Sequence, residues 1–152
     1  MNYKCIIYDF DGVMTDNRVL QDENGIESVY VNRSDGLAVS YFKKMKILQY
    51  IVSTEKNCVV SKRGNKLEIP VFQNISNKLE AVKNIIKEKK LHIDEVIFVG
   101  NDLNDQEVME YLPNTFCPID SHKKIKEISK VILDCKGGNG VIMALFNSLT
   151  GE

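Results

Sequence analysis

Short apolar runs bounded by turn residues alternate, along this 152-residue chain, with stretches whose apolar residues recur at helical spacing. Tyr3–Tyr8, Ile47–Val52, Ile69–Phe72, Glu95–Val99, Thr115–Cys117 and Val131–Leu133 read as strands. Between them, Leu37, Ala38, Tyr41, Phe42 and Met45 fall on one helical face. Asn77 and Glu80 have the spacing of a capping box for a helix carrying Leu79, Val82, Ile85 and Ile86. Gln106–Leu112 and Lys123–Ile128 read as further helices, and Val141, Ile142, Leu145 and Leu149 mark a terminal one. An unbroken apolar run is what a strand buried on both faces requires, and the helices between supply its crossovers. The expected fold is a doubly wound parallel α/β sheet of Rossmann-like type, formed as a single domain over residues 1–152.

Bulk properties narrow the partners. Twenty Lys and Arg against 21 Asp and Glu leave a net charge of −1, so no global basic field points to nucleic acid. An anionic ligand must therefore be caught by a local cluster. Cys5, Cys58, Cys117 and Cys135 form no CxxC pair and the chain has only two histidines, which argues against zinc. The apolar run at the N-terminus is too short for a signal peptide and no run reaches membrane-spanning length, so a cytoplasmic protein is expected.

Doubly wound sheets bind ligands in the crevice beyond the carboxyl ends of their strands, and here four such ends carry polar groups. Asp9 and Asp11 follow the first strand, Ser53 and Thr54 the second. Lys78 opens the helix after the third, and "GNDLND" (Gly100–Asp105) follows the fourth. A turn explains one strand-end aspartate; it does not explain four coincident ends. Phosphoryl transfer does. A phosphate dianion repels an attacking carboxylate unless cations offset the charge, and Mg2+ keeps several waters, so few protein oxygens suffice to hold it. Asp9 is the candidate nucleophile, forming an aspartyl-phosphate. Asp11, two residues on, can protonate the leaving oxygen and then activate water. Ser53 can donate to a phosphate oxygen, and Lys78 can neutralise charge on phosphate and nucleophile.

These residues resemble the motifs of the haloacid dehalogenase superfamily of phosphatases. "DFDGVMTD" is similar to its first motif, "YIVST" to the second, "NISNKLEAV" to the lysine-bearing third and "VGNDLNDQEVM" to the acidic fourth, in order. The resemblance implies Asp9 as nucleophile, Asp11 as general acid/base, and Ser53 and Lys78 as phosphate ligands. It also implies a magnesium ion held by the Asp9 carboxylate, the Asp11 backbone carbonyl and a side chain of the fourth motif. Gly100 is followed by Asn101 and then Asp102, so either could be that ligand. Charge favours Asp102, with Asp105 in support.

Too few residues separate Asp9 from Ser53, or Ser53 from Lys78, to hold the cap domain common in that superfamily. The subfamily most resembled is the capless one of 3-deoxy-octulosonate 8-phosphate phosphatases and their nonulosonate relatives. "DGVMTDNRV", the hairpin-like "VLQDENGIESVYV" (about residues 19–31, with Asn24-Gly25 at its turn), "NRSDGLAV" and "KGGNGVI" carry that likeness. It implies a homotetramer in which hairpins pack together and neighbouring chains complete each active site. Octulosonate enzymes tend to have Gly-Arg after the second motif; this chain has Glu55, followed by "KNCVVSKRGNKL". That resembles the sialic-acid-like branch, with Glu55 at the sugar hydroxyls and Lys62, Arg63 or Lys66 pairing with the sugar carboxylate; Thr54, beside Ser53, is a phosphate- or substrate-binding candidate or a turn residue. The implied substrate is a nonulosonate 9-phosphate, in lipopolysaccharide or capsule biosynthesis. The alternatives are octulosonate 8-phosphate, or a non-catalytic oligomerisation module related to the C-terminal domains of CMP-sialic acid synthetases. Arg33 and Asp35, after the hairpin, are expected to line the site or to pair with each other.

Overall fold

The computed structural model describes residues 2–151. In chain order its elements are β1 (Cys5–Tyr8), β2 (Leu20–Gln21), β3 (Glu27–Ser28), α1 (Arg33–Lys44), β4 (Leu48–Val52) and α2 (Val59–Leu67). Then follow β5 (Val71–Phe72), α3 (Lys78–Glu88), β6 (Val96–Val99), α4 (Gln106–Tyr111), β7 (Asn114–Pro118), α5 (Lys123–Ile128), β8 (Val131–Leu133) and α6 (Val141–Thr150). Six strands form one parallel sheet in the order β5-β4-β1-β6-β7-β8. The chain winds outward from β1 through β4 to β5, then crosses back to β6 beside β1 and winds the other way. The topological switch therefore falls at β1, where the helices diverge and a crevice opens beyond the strand ends.

Period-two alternation along β1 feeds two cores. Ile6 and Tyr8 join Phe42, Ile97, Val141 and Leu145 on one face, under α1, α2 and α6. Cys5 and Ile7 join Val52, Val82, Phe98 and Ile125 on the other, under α3, α4 and α5. No inserted domain interrupts the sheet, and no described helix is long and apolar enough to cross a membrane.

Helix α1 starts earlier than its apolar spacing suggests, because the Asn32 side chain caps it by accepting from the Ser34 N–H at 2.9 Å. Its buried stripe is Asp35, Ala38, Val39 and Phe42, one position round from the expected face, leaving Leu37 49% and Met45 43% exposed. Asn77 caps α3 by accepting from the Glu80 N–H at 2.9 Å, which makes Lys78 its first residue. Between β1 and α1, Leu20 faces Ser28 and Gln21 faces Glu27 in a short antiparallel ribbon. Its turn is built by the Asp22 carboxylate, which accepts from the Asn24 and Ile26 N–H groups, with Gly25 at φ +77°. A bridge between Thr15 and Val31 closes the ribbon's base.

Candidate active site

The turn after β1 is anchored by what it buries. Phe10, Val13 and Met14 enter the core, and the Met14 and Thr15 N–H groups donate to the Phe10 carbonyl. Asp9 stays tied to the sheet, its N–H donating to the Val99 carbonyl at 2.9 Å, while its side chain is only 5% exposed. Across the crevice, Lys78 Nζ lies 2.7 Å from Asp9 Oδ1 and 2.7 Å from Asp105 Oδ1. Asp105 is fully buried, and its Oδ2 accepts from the Asn101 N–H at 2.9 Å and the Asp102 N–H at 3.3 Å. One ammonium thus bridges the end of β1 to the loop after β6, and Asp105 in turn shapes that loop. A buried lysine at the first position of a helix opposes the helix dipole; the two carboxylates supply the compensation.

Electrostatics follow from this crowding. Burial, and then the Asp105 charge, push the Asp9 carboxyl above its ordinary range, against the pull of Lys78. Burial alone would lower the Lys78 pKa, but Asp9 and Asp105 more than offset it and hold the ammonium charged. The Asp11 carboxyl is also raised, by burial first and then by the Glu55 charge, with Lys78 opposing.

The donor set suits a hard divalent cation. The Asn101 amide oxygen Oδ1 is buried without a hydrogen-bond partner, a costly state unless something electropositive takes it up. The amide lies so close over Gly12 (φ +78°) that a Cβ there would collide with it. Both contacts of the Asp9 carboxylate fall on Oδ1, the Lys78 ammonium and the Phe10 N–H at 2.7 Å, leaving Oδ2 outside them. Among the described residues no three His, Cys, Asp or Glu side chains gather as a metal cluster. The oxygens at hand are the remaining Asp9 oxygen, the Asn101 amide and backbone carbonyls, with the Asp11 and Asp102 carboxylates lining the same crevice, a set Mg2+ accepts because it keeps waters. Asp102 lines the same crevice, but its Oδ1 accepts from the Leu103 N–H at 2.7 Å and caps a short 3₁₀ turn, so Asn101 stands beside it as a candidate ligand.

Above Asp9 opens a cavity of about 300 Å³, lined by Asp9, Asp11 and Asn101 and, beside them, Asn17, Thr54, Asp102 and Asn104. Ser53 is buried at the end of β4, where its Oγ accepts from the Glu55 N–H at 3.1 Å. Glu55 turns back on its own loop, its Oε1 accepting from the Lys56 and Asn57 N–H groups at 2.8 and 2.9 Å. That loop is tied to the ribbon by Asn57 Nδ2, which donates to Glu27 Oε2 at 3.2 Å.

The basic residues of α2 are not in this crevice. The helix buries Val60, Gly64 and Leu67, and that register leaves Lys62 in solvent and turns Arg63 and Lys66 toward α1. Arg63 donates to the Asn32 carbonyl at 2.9 Å, and with Lys66, Arg33 and Lys43 it lines a separate cavity of about 300 Å³. Arg33 and Asp35 neither line the crevice nor pair together. Asp35 caps α6 instead, its Oδ1 accepting from the Ile142 and Met143 N–H groups at 2.9 and 3.2 Å. Asn17 and Asn104 line the crevice although sequence reasoning assigned neither a role: Asn17 lies in "DGVMTDNRV" and Asn104 in the fourth motif, at positions to which no chemistry was attached. The one available signal was position, each lying within a few residues of a strand-end aspartate.

The family model described as haloacid dehalogenase-like hydrolase matches residues 7–145. A 3-deoxy-D-manno-octulosonate 8-phosphate phosphatase of Salmonella typhi is 28% identical over 142 residues, 93% of this chain and 76% of that protein. A crystal structure assigned to the HAD family of hydrolases, from Streptomyces avermitilis, superposes with a TM-score of 0.93 at 34% identity, covering 96% of this chain and 90% of that one. The 3-deoxy-D-manno-octulosonate 8-phosphate phosphatase of Yersinia pestis superposes at 0.92 with 25% identity, over 96% of this chain and 80% of that one.

Proposed function

From the premise that this chain is a phosphatase of the haloacid dehalogenase-like hydrolase family, we propose that it removes the terminal phosphate of a 3-deoxy sugar acid, with Asp9 as nucleophile and Mg2+ as cofactor. The observation that carries the reading is the buried bridge Asp9–Lys78–Asp105 beside the partnerless amide oxygen of Asn101. Asp9, Asn101 and the Asp11 backbone carbonyl would hold the cation, which offsets the negative charge that phosphate and carboxylate bring together. An Asp9 carboxylate oxygen attacks phosphorus as the bond to the sugar oxygen breaks. Asp11, whose carboxyl is raised and so holds a proton more readily, gives that proton to the departing oxygen. The same side chain then takes a proton from the water that attacks the aspartyl-phosphate, and the Asp9–phosphorus bond breaks. Lys78 stays charged through both steps and Ser53, its hydroxyl at the strand end, donates to a phosphoryl oxygen.

Octulosonate 8-phosphate is the substrate that the sequence relatives favour, since the curated ones named above act on it; this reverses the order expected from the residues after the second motif. The nonulosonate 9-phosphate reading keeps one support, the glutamate at position 55 after the second motif, whose Oε1 here accepts from the Lys56 and Asn57 N–H groups. Arg63 and Lys66 face away from their own crevice, so neither reading gives them a contact with substrate in the same chain. The test is release of phosphate from each sugar acid by the Mg2+-loaded protein. Wild type is expected to turn over at least one of them, and Asp9→Asn to lose at least about 10⁴-fold in kcat while keeping its fold. No turnover of either substrate by folded, metal-loaded protein overturns the reading.

A further inference from the structure

Three loops meet over Asp9, and each brings one uncharged polar side chain that the reaction does not use: Asn17 after β1, Thr54 after β4 and Asn104 after β6. We propose that Asn17, Thr54 and Asn104 form a specificity wall that selects phosphate esters of polyhydroxylated chains, by hydrogen bonds to the hydroxyls next to the ester oxygen. The inference rests on the phosphatase reading above and names what its crevice recognises.

None of the side chains lining this cavity is apolar and none is cationic. An aryl, acyl or nucleobase leaving group would cover these amides without pairing them, which penalises such substrates. A second anionic group next to the phosphate would find no partner. Vicinal hydroxyls fit, because each is both donor and acceptor, as are the threonine hydroxyl and, through its two ends, each amide. The cavity, about 300 Å³, is at the small end of ligand pockets, so it takes the phosphate and the few carbons beside it and leaves the rest of a long substrate outside. Asn104 Nδ2 lies 3.5 Å from Thr54 Oγ1, and both residues also line a neighbouring cavity of about 560 Å³. Together they form the partition between the two spaces and close the crevice on that side. Asn17 sits at φ +65°, a left-handed conformation that glycine adopts without strain. Asn17→Gly therefore removes the amide and keeps the backbone.

The experiment measures kcat and KM of wild type, Asn17→Gly, Thr54→Val and Asn104→Leu with octulosonate 8-phosphate, nonulosonate 9-phosphate, glucose 6-phosphate and p-nitrophenyl phosphate. For Asn17→Gly and Asn104→Leu the ratio of kcat/KM for hydroxylated esters to that for the aryl ester is expected to fall about 10-fold each, one hydrogen bond's worth, and mainly through KM. Asn104→Ser, which restores a hydroxyl, is expected to recover part of it. An unchanged ratio in both variants, or equal losses on every ester, overturns the wall. Turnover of glucose 6-phosphate alone, with the ratio still falling, would sink the sugar-acid substrate and leave the wall standing. Should no ester turn over, the same ratio is read as Kd by calorimetry in the Asp9→Asn background, and an unchanged ratio there overturns the proposal as well.

Discussion

Asn101 and Asp102 are adjacent, and their chemistry is decided by which one is buried. The Asn101 oxygen is buried without a partner, whereas Asp102 engages its Oδ1 in the next turn. Asn101→Ala is expected to weaken Mg2+ binding by at least about 10-fold, the low end of what losing even a supporting residue costs. Asp102→Ala is expected to change it far less and to cost about 1 kcal/mol of stability, the value of a cap; calorimetric titration separates the two, and the opposite ranking would restore Asp102 as ligand. Asp35 makes a second prediction. Burial raises its carboxyl from the ordinary range to about 6, despite the two α6 N–H groups and the Arg63 charge. A carboxyl raised in the folded state binds its proton more tightly there than in the unfolded chain. Its contribution to stability is therefore fully present below about pH 4 and is lost as pH rises through about 6, a loss of about 3 kcal/mol once complete. Asp35→Asn keeps an oxygen for α6 and removes the titration, so the change in unfolding free energy between pH 4 and 6 should be smaller by about 2 kcal/mol in denaturant melts. An unaltered pH profile would mean that Asp35 is not the group responsible.

Glycines in the loop before α6 join elements that the sheet keeps apart. The Gly138 N–H donates to the Val13 carbonyl at 3.0 Å, and the Gly137 N–H to Asp120 at 2.9 Å. A Cβ on Gly137 would run into the Gly12 carbonyl, on the turn that carries Asp11 and lies under Asn101. Gly137→Ala touches no reacting group, yet it is expected to cost about 1–3 kcal/mol through overpacking and to lower kcat by displacing that turn; a variant with normal melting and normal kcat would show that the brace is not needed. Most elements were legible because strands buried on both faces are unmistakable as apolar runs. The face of α1 was not, since its inward stripe includes Asp35 and no periodicity argument assigns a carboxylate to the core. Helix α2 escaped the periodicity reading for a related reason: it packs through Gly64, whose missing side chain lets it approach Val71 closely.

Leu20 is 71% and Tyr30 80% exposed on the ribbon, with Val19 and Ile26 beside them, an apolar surface with no cover in the isolated chain. If ribbons pack together in a homotetramer, as the family resemblance implies, Leu20→Glu with Ile26→Glu should shift the mass seen by light scattering to that of a monomer. The catalytic efficiency should fall with it, because each crevice would lose its neighbour's wall; an unshifted mass would place the interface elsewhere. The linear order of residues was enough to establish a parallel α/β sheet, and with it the four strand ends where Asp9, Ser53, Lys78 and the Gly100–Asp105 loop had to stand. Winding about a single switch point brings those ends together whatever their side chains do. Local pattern could not say which oxygen lacks a partner, where Arg63 and Lys66 point, or that Asn17 and Asn104 line one crevice. Those depend on contacts between segments distant in the chain, made only when Gly12 admits the Asn101 amide and α2 settles against β5.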